Sequence, residues 1–244
     1  MTGGSRGIGL GIARLLAGRG ARVALGYATD KARARVALAG LGGKGHAAIA
    51  ADLADPRGAA RLWAEADEWA DGALAILVNN AGIYEEHPPL STSAADWLEK
   101  WQRTLAANLT GPAILSHLAA RSMAARGGGR IVNISSRGAF RGEPSAPAYG
   151  ASKAGLNSLS QSLARALAPS SVFVFCIAPG WVATDMAAPH LEGPGGAEVL
   201  AQHPMGRVAS AEEVARAAVF CALDAPESMT GAIIDVNGAS YLRS

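Results

Sequence analysis

Cysteine is nearly missing from these 244 residues: Cys176 and Cys221 are the only two. Both lie inside apolar runs, FVFCIAPG and AAVFCALD, so they read as buried thiols and exclude a disulfide framework. An excess of one charge is also missing, with 22 basic residues against 20 acidic ones and no basic cluster. That balance excludes nucleic acid as an expected partner. No apolar run is long enough to cross a bilayer, and the first residues are glycine-rich instead of forming a signal peptide, so no membrane partner is expected and the cytoplasm is the expected location. Five histidines, His46, His87, His117, His190 and His203, are scattered without ligand spacing, and no metal site is expected.

What remains is a chain that is 50% hydrophobic, enough for one sizeable core. A single domain over 1–244 is expected. Short apolar runs at 21–27, 75–82, 129–136, 171–180 and 232–238 end in Gly, Asn or Ser and read as buried strands. Between them, apolar residues recur at helical spacing over 7–19, 56–70, 94–125, 149–167 and 211–223. This alternation predicts an α/β fold, a doubly wound and mostly parallel sheet with helices on both faces. Such sheets bind ligands at the carboxyl ends of their strands. Those ends here carry Asn79-Asn80-Ala81-Gly82, Ser135-Ser136 and Pro179-Gly180. The segment 183–210 is rich in glycine and proline and is expected to be a substrate lid with a short helix near 196–201.

Thr2-Gly3-Gly4-Ser5-Arg6-Gly7-Ile8-Gly9 runs directly into a helix. Glycines there permit a tight turn and let a pyrophosphate approach N–H groups at a helix N-terminus. Asp52 and Leu53, after HAAIAAD, are placed beside the adenine. The region after the first long apolar run reads Leu25-Gly26-Tyr27-Ala28-Thr29-Asp30, with no acid at its first positions to repel a 2′-phosphate. Arg6 is suited to pair with that phosphate. NADP(H) is therefore the expected cofactor, with NAD(H) as the alternative.

Tyr149 and Lys153 stand four residues apart on a helical stretch and so share one face. Ser136 lies thirteen residues before Tyr149 at the end of a strand. Hydride arriving at a carbonyl carbon leaves a developing alkoxide, which needs a proton donor and a hydrogen bond; the reverse reaction needs a base. A phenol with pKa ~10 is a poor base, and lowering it to about 7 takes roughly 4 kcal/mol. A cation ~4 Å away at an effective dielectric near 20 supplies about that much, and Lys153 is the expected source. Ser136 is expected to hydrogen-bond the substrate oxygen, with Ser135 as competitor facing the other way. Asn108 precedes Gly111-Pro112, and Pro112 has no N–H for the Asn108 carbonyl; a kink is expected there, with an oxygen free to hold a water leading to Lys153.

Together these residues resemble the short-chain dehydrogenase/reductase family, in particular its 3-oxoacyl-acyl-carrier-protein reductase-like and its sugar or alcohol dehydrogenase branches. Thr2 to Gly9 matches the family's T-G-x-x-x-G-x-G loop, with Gly3, Gly7 and Gly9 as its glycines. Asn79 to Gly82 matches N-N-A-G, and Asn108, Ser136, Tyr149 and Lys153 match the catalytic tetrad. Pro179, Gly180, Val182 and Thr184 match the segment around nicotinamide. The resemblance implies that Lys153 also binds the nicotinamide ribose, that Val182 contacts the carboxamide side, and that the chain forms a homotetramer or homodimer through 94–125 and 149–167. Met205-Gly206-Arg207, Thr230-Gly231 and IIDVNG resemble late family signatures. The match spans essentially the whole chain.

One departure stands out. The family has a full strand before the glycine loop, whereas this sequence starts Met1-Thr2-Gly3. Loss of that central strand is expected to bare two rows of backbone groups and to deprive the loop of its anchor. A start placed too late is the favoured explanation, ahead of an incomplete sequence or true truncation. The expected activity is NADP(H)-preferring hydride transfer to or from a small-molecule carbonyl or secondary alcohol. Competing readings are an NAD-dependent sugar or alcohol dehydrogenase, a dinucleotide-binding scaffold without turnover, and an epimerase or dehydratase. Arg207 is read either as meeting an anionic substrate or as fixing its loop.

Overall fold

Strand and helix alternate in the computed structural model, which describes residues 1–243. In chain order the elements are α1 (Gly7–Gly18), β1 (Ala24–Tyr27), α2 (Lys31–Ala39), β2 (Ala47–Ala50), α3 (Pro56–Trp69), β3 (Ile76–Asn79), α4 (Ala94–Leu105), α5 (Gly111–Ala124) and β4 (Gly129–Ile134). They continue with α6 (Gly138–Arg141), α7 (Pro147–Leu167), β5 (Val172–Pro179), β6 (Val182–Ala183), α8 (Ala188–Leu191), α9 (Gly196–Ala201), β7 (Ala209–Ser210), α10 (Ala211–Val219) and β8 (Ile233–Val236). The strand pairs are all parallel.

Parallel strands covered on both faces alternate between two cores. Along β5, Val172 and Val174 join Leu62, Trp63, Leu115 and Met123 beneath α3 and α5. Phe175 and Ile177 join Ile12, Leu16, Val214 and Val219 beneath α1 and α10. Gly11 lets those two helices approach: a Cβ there would stand 3.1 Å from the Ala215 methyl. Both cysteines are fully buried and free. No helix among the described residues is long and apolar enough to cross a membrane.

The helix α2 lies outside the sequence expectation. Its sequence KARARVALA carries little amphipathic signal and is mostly exposed; Asp30 starts it by accepting from the Arg33 N–H at 2.8 Å. The interruption expected after Asn108 takes the form of a π-helical turn, Ala106–Thr110, closed by the Gly111 N–H on the Ala106 carbonyl.

The sheet is split where the resemblance places a further strand. The pair β1–β2 and the four strands β3–β4–β5–β8 are separate sheets, and among the described residues only Met1 and Thr2 stand between β1 and β3. The Thr2 N–H donates to Val78 O at 2.9 Å and the Gly26 N–H to Met1 O at 2.8 Å. Behind Met1 lies an apolar cavity of about 430 Å³ between Val23, Leu62, Trp63, Ile76 and Leu115. The Met1 ammonium donates to Ala24 O at 2.8 Å, and burial pushes it down to about 6.

The expected loss of the loop's anchor does not occur. Thr2 Oγ1 accepts from the N–H groups of Asn80 and Ala81 at 3.0 and 2.9 Å, and Asn80 Nδ2 donates to the carbonyls of Thr2 and Gly3. These side-chain bonds act at the end of the slot nearest the loop, so a strand behind Met1 is not required for them.

Candidate active site

The glycine loop, the ends of β3, β4 and β5, and the start of α7 enclose one cleft of about 550 Å³. Every residue that the sequence marks for catalysis or cofactor binding lines it, except Asn108. At one end are Arg6, Tyr27, Asp52 and Leu53, and at the other Ser136, Tyr149 and Lys153.

The loop's path depends on its glycines. Gly3 and Gly7 have φ of +62° and +51°, where a side chain is strained. A Cβ on Gly9 would collide with the Gly3 carbonyl and approach Asn80 Nδ2 to 2.6 Å. Arg6 sits at the N-cap of α1, and no side chain caps the first-turn N–H groups. These unoccupied donors, beside Ser5 and Ile8 on the cleft wall, fit a pyrophosphate. From across the cleft, Thr184 brings its Cγ2 within 3.3 Å of where a Gly7 Cβ would be.

At the adenosine end, Asp52 is exposed and accepts from the Ala54 N–H at 2.9 Å. Sequence reasoning missed Arg33. It reaches the same end from α2 and pairs with Asp185 at 2.7 Å and with Asp30 at 3.6 Å. Its signal was a basic residue one turn into an unrecognised helix. Asp30 is thereby occupied by the α2 cap and by Arg33.

Asn79 is buried and donates to Ser116 Oγ and Asn133 Oδ1; Asn133 in turn donates to Ser160 Oγ. This chain of bonds ties β3 to β4, α5 and α7. Asn108 is fully buried behind the cleft, with Oδ1 accepting from the Ile83 N–H at 2.8 Å. Its Nδ2 donates to the Ile83 carbonyl at 2.9 Å and to Ser152 Oγ at 3.2 Å. It therefore pins the wall beside Gly82, where a Cβ would stand 3.2 Å from Asn108 Oδ1 and 3.5 Å from Lys153 Nζ.

Ser136 Oγ accepts from the Gly138 N–H at 3.0 Å, while Ser135 points away and donates to the Lys153 carbonyl. Lys153 Nζ donates to the Ile134 carbonyl at 2.8 Å and lies 5.7 Å from the Tyr149 ring centroid. Burial moves both groups the opposite way from that expected of the Lys153 charge. Burial pushes the Tyr149 phenol up to about 12, against the Ser136 hydroxyl, which lowers it. Burial also pulls Lys153 down to about 8. Loss of water on burial, which opposes the attraction between the two, is the larger effect in the chain alone.

Around Tyr149 stand Tyr84, with ring centroids 5.1 Å apart, and then His190 and Trp181, 5.3 Å from one another. Of these walls, the sequence pointed to His190, as part of the lid, and to Trp181, within the 179–184 segment around nicotinamide, but not to Tyr84. Arg207 forms a two-pronged ion pair with Glu213, both contacts 2.8 Å, and so fixes its loop.

A cleft lined by a glycine loop and by a serine, a tyrosine and a lysine at the carboxyl edge of a parallel sheet defines a nicotinamide-dependent oxidoreductase acting on CH–OH and C=O groups. A family profile described as Enoyl-(Acyl carrier protein) reductase matches residues 3–239. A cis-4-hydroxycyclohexanecarboxylate dehydrogenase of Sinomonas cyclohexanicum is 39% identical, covering 98% of this chain and 94% of its own. The 3-oxoacyl-acyl-carrier-protein reductase FabG of Escherichia coli is 37% identical over 99% of this chain and 96% of its own. A solved structure of a short chain dehydrogenase/reductase family protein superposes with a TM-score of 0.86 at 36% identity, covering 98% and 95%. The chain belongs to the short-chain dehydrogenase/reductase family.

Proposed function

We propose that this protein transfers a hydride between NADP(H) and a small carbonyl or secondary-alcohol substrate, with Tyr149 as the acid and base. The observation that carries the reading is the joint placement of Ser136, Tyr149 and Lys153 at one end of the cleft whose other end is the glycine loop. The names of two relatives specify a hydroxyl and an oxo group. A bound nicotinamide dinucleotide supplies or accepts the hydride. In reduction, Tyr149 gives its proton to the substrate oxygen while Ser136 hydrogen-bonds that oxygen. In oxidation, Tyr149 takes the proton back. Lys153 holds positive charge beside the phenolate and reaches the ribose, and Asn108 keeps the Gly82–Ile83 wall and Ser152 in place behind it.

Arg6 and Arg33 support the preference for NADP(H), since the acid nearest β1, Asp30, is already paired. Residues 183–210 act as the lid, and α4, α5 and α7 join copies into a homodimer or homotetramer in the cytoplasm. Reduction of a ketone panel, followed at the nicotinamide absorbance with NADPH and with NADH, tests this. NADPH is expected to give at least tenfold higher kcat/KM, and Arg33→Ala to lose affinity for NADPH alone. Equal efficiency with NADH overturns the preference. The second reading is a dinucleotide binder without turnover; cofactor binding with no absorbance change on any substrate selects it.

A further inference from the structure

Arg137, the residue after Ser136, lines the cleft, yet it is 4% exposed and has no ion pair with a carboxylate among the described residues. Buried guanidinium groups are rare without a counter-charge. Its Nη2 donates to Gln202 Oε1 at 2.9 Å, and its Nη1 makes a long 3.5 Å contact to the Ser240 carbonyl. Arg141, at the other end of α6, donates through Nη1 to the same Gln202 oxygen, also at 2.9 Å. Two cations thus converge on one neutral amide oxygen. Burial and the neighbouring Arg141 depress the Arg137 guanidinium, and the Glu143 charge offsets only part of that.

The nearby acid bonds to neither of them. Glu143 packs against Gly138, where any Cβ would collide with Oε1, and it makes no ion pair. Burial raises its carboxyl while Arg141, Arg137 and His190 lower it, so it acts on the two guanidiniums only through space. Gln202 follows α9 in the segment whose first part, Thr184 to His190, lines the cleft, and it is exposed. An amide is planar and matches a carboxylate in size, while a carboxylate adds the negative charge and the second acceptor oxygen that two guanidiniums can share.

We propose that Arg137 and Arg141 form an anion subsite for a carboxylate on the substrate, remote from the reacting carbon, and that Gln202 occupies it until substrate arrives. This rests on the hydride-transfer reading above and narrows its substrate to oxo or hydroxy carboxylates. Gln202 then links the lid to substrate entry: the carboxylate displaces the amide from the two guanidiniums.

Kinetics with 4-oxocyclohexanecarboxylate, its carboxamide and cyclohexanone test the subsite. The acid is expected to exceed the carboxamide by about tenfold or more in kcat/KM, and Arg141→Gln to remove that advantage while leaving cyclohexanone unchanged. Gln202→Ala is expected to lower KM for the acid alone, and Gln202→Glu, which fills the subsite with its own carboxylate, to raise it. Arg137→Gln is a further variant; should this buried change prevent folding, the exposed Arg141 and Gln202 variants carry the test. Equal use of acid and carboxamide, or a preference that survives Arg141→Gln, overturns the proposal. Calorimetry with cyclohexanecarboxylate against cyclohexanecarboxamide reads the subsite without turnover. Tighter binding of the acid, lost in Arg141→Gln, supports the subsite even if no ketone is reduced, an outcome that defeats the hydride-transfer reading alone; no difference between the probes overturns the subsite even in an active enzyme.

Discussion

Tyr149 keeps its proton at neutral pH, because burial moves the phenol to about 12. The chain without cofactor is therefore poised as a proton donor, which suits carbonyl reduction. Oxidation must first take that proton away, so kcat/KM for alcohol oxidation is expected to rise with pH from neutrality, and kcat/KM for ketone reduction to fall on the alkaline side. The positive ring of oxidised nicotinamide favours the phenolate, which places the rise in oxidation below 12. Profiles between pH 6 and 11 check this; an oxidation rate independent of pH removes Tyr149 from the base role. Tyr149→Phe removes the transferable proton but retains the ring against Tyr84. Turnover is expected to fall by about 10² to 10⁴-fold, with NADPH binding, read by fluorescence, unchanged.

At the scale of single elements, the site depends on how α1 begins and how the π-helical turn meets the β3 loop. Gly9→Ala would press a methyl onto the Gly3 carbonyl and Asn80 Nδ2, inside the loop's anchor. Overpacking of this kind costs about 1–3 kcal/mol. Thermal denaturation is expected to show that loss together with weakened dinucleotide binding, whereas Gly18→Ala, at the open end of the same helix, is expected to be harmless. Asn108→Ala leaves the N–H and carbonyl of Ile83 without partners. A cost of about 1–3 kcal/mol in urea denaturation is expected, with a fall in kcat as the wall beside Lys153 loosens. Unchanged stability in that variant would show that the Ile83 contacts are dispensable.

At the scale of the whole molecule, an apolar slot separates β1 from β3. Its 430 Å³ are lined mostly by apolar side chains, and the Met1 amino group sits at its end. A five-residue run of Val and Ile placed ahead of Met1 would pair with both neighbouring strands and turn the ammonium into an amide. The melting temperature is expected to rise on the order of 5 °C or more. The pH dependence should change with it. Because the folded-state pKa of about 6 lies below the ordinary value of 8.0, the unfolded chain binds more protons between these values, and the stability of the 244-residue chain rises with pH across that window. The extended chain should lose this slope; a slope that persists would place its source elsewhere.

Much of this protein follows from local sequence. The short apolar runs and the helical spacing between them determine the order of elements, because burial on both faces of a parallel sheet leaves a pattern in the chain itself. The glycine loop and the Tyr149/Lys153 spacing are local in the same sense, and so the residues of the cleft were legible. Other features arise from groups distant in sequence. Arg33 meets Asp185 across 152 positions, and Arg137 meets Gln202 across 65. The protonation of Tyr149 and Lys153 is likewise a tertiary property: spacing puts the two on one helix face, but only the closed cleft determines how much water each loses, and that loss sets both the phenol and the ammonium.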